Sequence, residues 1–462
     1  MHTQPTIQFC GGTGTVTGAC YLLTAGKEKI LVDCGLYQGG RFLEDENHKP
    51  FPFNPHEVKT VFITHAHADH IGRLPKLYRD GFRGTVITTP MTADLMAVML
   101  EDALKIMSHE CDARGEKPLY TKQDLDGVLE LVKPSNYNQR VTLSDSIDVY
   151  LRDSAHILGS SIIEMHIGDD IVVFTGDLGN VPAPLLKTIY PVEYCDYLCM
   201  ESVYGDRIHE SHQEKERILE RALEDTYSKK GVLIIPVFAL ERTQALLSAL
   251  DELIEHNRVP RMPVFLDSPL AINATKVYRK YQSLFNEDTQ QLLRGGNDLF
   301  SFPGLKLTAS REESIAINEV PPPKVILAGN PHGYGSRIAH HFLRALPDPN
   351  STVLFVGYAR VSSLGRMLCD GAKSVRIGDV VVPVRATITT ISGYSAHADQ
   401  NQLKAFVNKI NKPIQQIFVT MGEQQSSEVL AQVLRDELGV PAVVPKFGDT
   451  VSLESPALAP SL

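Results

Sequence analysis

The sequence predicts an α/β protein built from more than one domain. At 462 residues, the chain is longer than one ordinary hydrophobic core requires. Short apolar runs with the pattern of strands alternate along it with amphipathic helical patterns. Several of the strands end directly in a carboxylate or an imidazole, and α/β sheets place their functional side chains at strand ends.

Composition places the chain among ordinary globular proteins. Hydrophobic residues make up 43% and charged residues 22% of the sequence. No apolar run of about 18 residues predicts a membrane-spanning helix, and the first residues lack the basic and apolar regions of a signal peptide. The net charge of −10 argues against a nucleic acid held by overall positive charge, although a local basic groove could still bind one.

The seven cysteines are scattered along the chain and include no Cys-x-x-Cys pair. Reduced thiols in a core explain such a set better than disulfides do. We therefore expect a cytoplasmic protein without a membrane partner.

The first strands are predicted before residue 34. Residues 6–10, 19–23 and 29–33 are apolar runs separated by turns, and the last run ends in Asp33. The glycine-rich turn at residues 11–14 lacks the Lys-Ser/Thr ending of a phosphate-binding loop, so a hairpin turn is the better interpretation. Asp33 alone is an ordinary turn residue, but beside a metal-binding loop it becomes a candidate partner that orients a ligand histidine.

The strongest functional signal follows the next strand. The run of apolar or β-branched residues at 61–64 leads directly into four candidate ligands, His65, His67, Asp69 and His70, and then into a helical pattern. Three imidazoles and a carboxylate within six residues suit a borderline-soft divalent ion, zinc above all. His65 and His67 can hold one ion from an extended backbone, and Asp69 and His70 can reach a second. A solvated histidine-rich loop does not explain the strand–loop–helix context.

The arrangement of strand, loop and ligand recurs three times before residue 209. A strand that begins at residue 147 leads to His156, which taken alone is equally well explained as a hydrogen-bonded core histidine. The next two apolar strands end at Asp177 and Glu201. Beyond residue 208, long helices at 214–230 and 242–255 alternate with short apolar strands, and this βαβ pattern predicts a second domain with a parallel sheet.

Together these motifs resemble the metallo-β-lactamase superfamily and, within it, the β-CASP ribonucleases. The family's His-x-His-x-Asp-His motif is matched by His65, His67, Asp69 and His70, and its other metal-site positions by Asp33, His156 and Asp177. The narrower β-CASP motifs are similar to Glu201-Ser-Val-Tyr-Gly205, Phe238-Ala-Leu-Glu-Arg-Thr-Gln244, Leu266-Asp-Ser-Pro269 and Ser395-Ala-His397-Ala-Asp399. The resemblance covers nearly the whole chain.

The resemblance implies an αββα metallo-β-lactamase sandwich with an inserted parallel-sheet β-CASP domain. The implied divisions are residues 1–208 for the first part of the metallo-β-lactamase domain, 209–379 for the inserted domain, 380–452 for the return segment and 453–462 for a tail.

The resemblance also implies zinc-dependent cleavage of RNA phosphodiester bonds. Two zinc ions are implied, one held by His65, His67, His156 and Asp177 and the other by Asp69, His70 and the shared Asp177. The implied catalytic residues are Asp69, Glu201 and His397, with His397 as the general acid and Glu201 as the residue that orients it. Arg242 and Ser395 are expected to contact single-stranded RNA, and the resemblance admits a homodimer.

Departures from the family pattern keep other functions open. Met421 stands where the family has a histidine that binds the second zinc, and a thioether is a poor zinc ligand beside imidazole, so occupancy of the second position is in doubt. Residues 329–337 also differ from the family pattern; His332 within them is either a loop residue or a compensating ligand, and Glu241 replaces a common glycine. A degenerate relative that binds RNA or a protein partner without turnover therefore stays an alternative. So does a metallohydrolase of small esters or thioesters, although such enzymes usually lack the inserted domain.

Overall fold

The computed structural model describes residues 4–329, 337–357, 363–391, 393–411 and 413–453. His332 and the tail beyond residue 453 lie outside these ranges. Contacts divide the chain into two compact units. The first unit comprises Met1–Pro182, Lys187–Ile208 and His397–Leu462, and the second comprises Ala183–Leu186 and His209–Ala396.

Secondary structure begins in the first unit. Its first strands are β1 (Thr6–Phe9), β2 (Tyr21–Ala25), β3 (Glu28–Val32), β4 (Thr60–Phe62), β5 (Thr85–Thr88), β6 (Val132–Pro134), β7 (Val141–Ser144), β8 (Ile147–Asp153), β9 (Ser161–Ile167), β10 (Asp170–Phe174) and β11 (Tyr197–Glu201). Its first helices are α1 (Arg41–Glu44), α2 (Ala68–Ile71), α3 (Leu74–Arg79), α4 (Pro90–Arg114) and α5 (Lys122–Glu130).

The second unit follows, and the chain then returns to the first. The strands of the second unit are β12 (Val232–Val237), β13 (Val264–Asp267), β14 (Leu305–Leu307), β15 (Lys324–Gly329), β16 (Thr352–Val356), β17 (Ser374–Ile377), β18 (Val380–Pro383) and β19 (Thr387–Ile391). Its helices are α6 (His212–Lys229), α7 (Arg242–Glu255), α8 (Pro269–Lys280), α9 (Glu287–Arg294), α10 (Arg311–Ala316), α11 (Arg337–Ala345) and α12 (Leu364–Cys369). The returning elements are α13 (Gln400–Asn408), α14 (Gln424–Leu438), β20 (Gln416–Thr420), β21 (Ala442–Val443) and β22 (Thr450–Ser452).

The first unit is a sandwich of two sheets. One sheet has the strand order β22-β1-β2-β3-β4-β5-β6, and the other has the order β21-β20-β11-β10-β9-β8-β7. Apolar side chains of both sheets share one core, where the rings of Phe9 and Phe418 lie 5.2 Å apart. Leu403 of α13 and Leu434 of α14 pack on the outer face of the second sheet, and α4 contacts β6 of the first sheet. This is the layered arrangement predicted above.

The second unit contains a parallel sheet with the strand order β14-β13-β15-β12-β16-β19, as predicted for the inserted domain. Strand β19 pairs with β16, and contacts accordingly place residues up to Ala396 in this unit. The family resemblance implied a return to the metallo-β-lactamase domain at residue 380, before β18 and β19. The domain boundaries stay a prediction.

Strand direction brings the ends of distant segments of the first unit to one edge. Strands β3 and β4 are parallel, as are β10, β11 and β20. Strand β8 runs in the same direction as β10, because both pair antiparallel with β9. Ser161 at the start of β9 donates its N–H to the Thr64 carbonyl at 2.7 Å, which joins the two sheets at this edge. The predicted ligands all follow strands that end here.

Two further findings bear on the composition-based predictions. No disulfide joins any of the seven cysteines, all of which lie within the described ranges. No helix in those ranges combines the length and the apolar character needed to span a bilayer.

Candidate metal centre

The loop after β4 is anchored on the neighbouring strand end. Asp33 follows β3 with a φ of 59°, a conformation that short polar side chains tolerate better than bulky ones. Its carboxylate accepts hydrogen bonds from Thr64 and lies 2.7 Å from His70 Nδ1. Gly35 allows the loop to approach closely, because a Cβ at this position would lie 1.5 Å from the Asp69 carbonyl oxygen. Local backbone geometry therefore fixes the loop before any ligand binds.

Four side chains from three strand ends bring their donor atoms together. The members of this group are His65, His67, His156 and Asp177, and their donor atoms lie within 4.8 Å of one another. His67 Nδ1 lies 3.0 Å from His65 Nε2 and 3.2 Å from His156 Nε2. Asp177 Oδ2 lies 3.4 Å from Nε2 of both His65 and His156. Ligands at zinc distance in a tetrahedron stand about 3.3 Å apart, so the donor set fits one zinc ion.

A second set of atoms faces the other oxygen of the same carboxylate. His70 Nε2 lies 3.4 Å from Asp177 Oδ1, and within the described ranges both atoms are buried without a hydrogen-bond partner. Polar atoms buried in this way are costly unless an ion or water satisfies them. A divalent cation would satisfy both, so the residues present also fit a metal at this second position.

Burial and charge act in opposite directions on the pKa values of this centre. Burial, with added repulsion from His70, holds the pKa of His65 well below its usual value. Burial alone would lower the pKa of His70, but the carboxylates of Asp177 and Asp33 raise it well above its usual value. Burial would raise the pKa of Asp177, but His70 and His65 hold it well below its usual range. A neutral His65 and an ionised Asp177 are the forms that bind metal.

His397 lies beside these donors. Its Nδ1 is 3.4 Å from Glu201 Oε1 and 3.7 Å from Asp177 Oδ2, and its ring centroid lies 4.5 Å from that of His156. Glu201 is buried, and its Oε1 accepts a hydrogen bond from the Leu178 N–H at 2.6 Å. Burial raises the pKa of Glu201 against the opposing effect of His397. His397 and Glu201, which the resemblance implies as the general acid and the residue that orients it, therefore lie side by side.

Exposure identifies the accessible side of the centre. His67, Asp69 and His397 are partly exposed, whereas His65, His70, His156, Asp177 and Glu201 are buried. The backbone carbonyl of Asp69 accepts a hydrogen bond from the Ala19 N–H at 2.9 Å. The described residues contain two groups of close donors, the four-residue group above and the group of Asp177, Glu201 and His397. The Asp69 carboxylate belongs to neither group.

Met421 packs in the core of the sandwich. The residue is 2% exposed, has a φ of 47° and belongs to the apolar cluster that contains Phe9, Tyr21 and Phe418. Its Sδ is so close to Gly12 that a Cβ on that glycine would lie 2.8 Å from it. The Met421 thioether therefore has the surroundings of an apolar side chain.

Arg242 and Ser395, the predicted RNA contacts, lie in the second unit and are both buried. Arg242 Nη1 donates to the Val356 carbonyl at 3.3 Å, and its guanidinium lies 4.4 Å from the centroid of the Phe238 ring. These contacts and its 7% exposure leave little of the guanidinium to meet a phosphate. The RNA-binding roles of both residues stay predictions.

Sequence reasoning missed Thr64, which it treated only as the last residue of a strand. The Thr64 hydroxyl contacts Asp33 and the Nδ1 atoms of both His65 and His70. The one available signal was a hydroxyl residue at the strand end directly before the first ligand.

Three family models match successive parts of the chain. Residues 243–368 match the model described as "Beta-Casp domain". Residues 381–445 match the "Zn-dependent metallo-hydrolase RNA specificity domain", and residues 11–226 match "Anti-Pycsar protein Apyc1".

Curated relatives align with nearly the whole chain. Ribonuclease TTHA0252 of Thermus thermophilus is 35% identical over 441 residues, which cover 96% of this chain and 98% of that protein. Transcription termination factor FttA of Methanosarcina mazei is 28% identical over 446 residues, which cover 93% of this chain and 69% of that protein. A crystal structure of a protein of unknown function from Enterococcus faecalis V583 has a TM-score of 0.56 and 14% identity, and covers 98% of this chain and 100% of its own. At that identity it supports the fold alone.

Proposed function

The chain belongs to the metallo-β-lactamase β-CASP ribonuclease family, and on this basis we propose that it cleaves RNA phosphodiester bonds as a zinc-dependent hydrolase. The family, fold class and enzyme class predicted from the sequence are confirmed by these matches. The observation that carries the mechanistic proposal is the set of facing donors on His65, His67, His156 and Asp177.

The proposed metal positions differ in their ligand sets. The first takes the four donors of His65, His67, His156 and Asp177. The second would be held by Asp69, His70 and the shared Asp177, and it would lack the further imidazole that the family has where Met421 stands here. Zinc bound there would lower the pKa of a water molecule toward neutrality and offset negative charge on the phosphate. We expect the first position to bind zinc more tightly, because it has more donors.

The residues of the chain itself supply the proton that cleavage requires. As an oxygen of water bonds to phosphorus and the bond between phosphorus and the leaving sugar oxygen breaks, the leaving oxygen must gain a proton. Glu201 faces His397 Nδ1 and can hold a proton there, so that a protonated His397 can donate from Nε2 to the leaving oxygen. Asp33 holds His70 Nδ1 and leaves the Nε2 of that ring for metal.

We propose single-stranded RNA as the substrate. The match of residues 381–445 to an RNA specificity domain supports the substrate class. The phosphate would enter on the side where His67, Asp69 and His397 are partly exposed. The homodimer and the cytoplasmic location stay predictions.

The packing of Met421 favours a second candidate function, an RNA- or partner-binding protein without turnover. Its side chain lies in the apolar core, so the second metal position has one imidazole fewer than the family pattern. A hydrolase of small esters is less well supported, because the chain matches both the inserted domain and the RNA specificity domain.

Cleavage of end-labelled single-stranded RNA by purified protein with zinc tests the proposal. We expect wild type to cleave and His67→Ala to lose cleavage by about 10⁴-fold or more, since the metal contributes several kcal/mol. His166→Ala is the matched control, because His166 is a partly exposed histidine of the same unit that contacts Glu164. Equal cleavage by wild type and His67→Ala would indicate a contaminating nuclease and refute the proposal.

Met421→His separates the two candidates. If the wild type does not cleave RNA and the Met421→His variant does, the wild-type protein is the binding protein without turnover. Activity in the wild type would refute that candidate.

A further inference from the structure

We infer that Thr64 is a positioning residue that sets the ligand nitrogens of His65 and His70 for the two metal positions. This inference rests on the proposed metal centre. Nothing in the metal-ligand motif itself requires a hydroxyl at this position.

The backbone of Thr64 is held on both sides. Its N–H donates to Asp33 Oδ1 at 2.8 Å, and its carbonyl accepts from the Ser161 N–H at 2.7 Å. The side chain is also enclosed, because a Cβ on Gly176 would lie 2.6 Å from the Thr64 Cβ. Thr64 is 1% exposed. The hydroxyl therefore has a fixed place between the two sheets.

The hydroxyl oxygen contacts three polar atoms. It lies 2.8 Å from Asp33 Oδ2, 3.0 Å from His65 Nδ1 and 3.3 Å from His70 Nδ1. A hydroxyl has one proton, and an ionised carboxylate can only accept, so this proton goes to Asp33. The hydroxyl must then accept from His65, which places the His65 proton on Nδ1. His65 Nε2, which faces His67 and Asp177, is left with the lone pair that a metal needs.

The Thr64 hydroxyl and the Asp33 carboxylate also orient the imidazole ring of His70. Asp33 Oδ2 also lies 2.7 Å from His70 Nδ1, so the carboxylate accepts from both the hydroxyl and this imidazole. His70 Nε2 then faces Asp177 Oδ1, and loss of the proton on this nitrogen when a metal binds would give it the lone pair that a ligand needs. One hydroxyl and one carboxylate thus orient a ligand of each metal position, and loss of the hydroxyl should weaken metal binding at both.

A purely structural threonine is present nearby for comparison. Thr88, the last residue of β5, is also buried, and its hydroxyl donates to the Ile63 carbonyl at 2.9 Å. Thr88→Val makes the same change as Thr64→Val, the loss of a buried hydroxyl, but at a hydroxyl whose hydrogen bond goes to a backbone carbonyl and not to a ligand histidine. It should cost about 1 kcal/mol of stability and leave zinc affinity unchanged.

Zinc affinity, measured by competition with a chromophoric chelator, tests the inference. We expect Thr64→Val to weaken zinc binding 10- to 100-fold, the usual cost of losing a partner of a ligand, and Thr64→Ser to restore it. Thermal unfolding of each metal-free variant checks that it is folded. If Thr64→Val does not fold, the comparison passes to Thr64→Ser and Thr64→Ala, which differ only in the hydroxyl.

Visible absorption of the cobalt-loaded protein gives a second readout, because the cobalt bands respond to ligand geometry and not to overall stability. We expect Thr64→Val to change this spectrum and Thr88→Val to leave it unchanged. Tight zinc binding by wild type with the same affinity and spectrum in Thr64→Val would overturn the inference. Absence of zinc binding by wild type would instead refute the proposed function on which it rests.

Discussion

Two buried carboxylates, Asp177 in the first unit and Asp267 in the second, have opposite hydrogen-bond environments. Asp267 accepts from four side chains at 2.6–2.9 Å: Thr308, Ser314, Arg337 and His341. Asp177 faces histidines at 3.4–3.7 Å, and its Oδ1 has no hydrogen-bond partner within the described ranges.

The two environments have different consequences for metal binding. Burial would raise the pKa of Asp267, but His341 and the other donors lower it to about 2. Each of its two carboxylate oxygens already accepts two of these hydrogen bonds, so the cluster is complete without a ligand. Among the residues that the structure describes, neither Asp177 Oδ1 nor the facing His70 Nε2 has a hydrogen-bond partner. A histidine beside an aspartate is therefore weak evidence for metal, whereas unsatisfied facing donors are strong evidence.

Asp177→Asn should have the largest effect on activity. The amide weakens a ligand shared by both metal positions, so we expect RNA cleavage to fall by about 10⁴-fold or more. Initial cleavage rates and zinc content, measured on the same preparation, check this. Full zinc content together with a wild-type rate would show that Asp177 is not a ligand.

His397→Ala should slow cleavage while zinc remains bound. Loss of a general acid costs about 10²- to 10⁴-fold, and His397 is not one of the four close donors of the first position. Zinc analysis beside the rate measurement distinguishes the roles. If zinc is lost along with activity, His397 is a ligand and not the proton donor.

Asp267→Asn should destabilise the protein and spare the metal. Removing one charged partner from a buried network costs about 3–5 kcal/mol. Denaturant unfolding of the metal-free protein measures this cost, and elemental analysis of the zinc-loaded form should give the wild-type content. A fall in zinc content would mean that the two carboxylates are not as different as their hydrogen bonds indicate.

The stability difference between wild type and Asp267→Asn should depend on pH. The folded pKa of Asp267, about 2, lies below the ordinary value of 3.8, so its ionisation stabilises the folded state above about pH 4. That contribution, about 2.5 kcal/mol, is lost as the pH falls toward 2. Denaturant unfolding of both metal-free proteins between pH 5 and pH 3 should show that the difference in their free energies of unfolding becomes smaller as the pH falls. A difference that does not change with pH would contradict the lowered pKa of Asp267 in the folded protein.

Strand-end reasoning predicted the main part of the candidate site. His156 and Asp177 meet His65 and His67 although 112 positions separate His65 from Asp177 in the chain, because the strands that precede them end at one edge. The alternative interpretation of His156, an ordinary core histidine, does not account for its place among facing donors.

Other features depend on backbone geometry that residue patterns do not show. The role of Thr64 depends on the φ of Asp33 and on the missing Cβ of Gly176. The sequence identified Met421 as a departure but did not show that it packs against Gly12. The burial of Arg242 was likewise invisible, because a charged residue at a helix start is usually exposed.

Anomalous diffraction at the zinc absorption edge, from crystals of the purified protein, tests the central claim most directly. We expect a strong peak among His65, His67, His156 and Asp177, and a weaker peak or none between His70 and Asp177. No peak should occur at Asp267. Absence of zinc among the four donors, in crystals grown with zinc, would contradict the account.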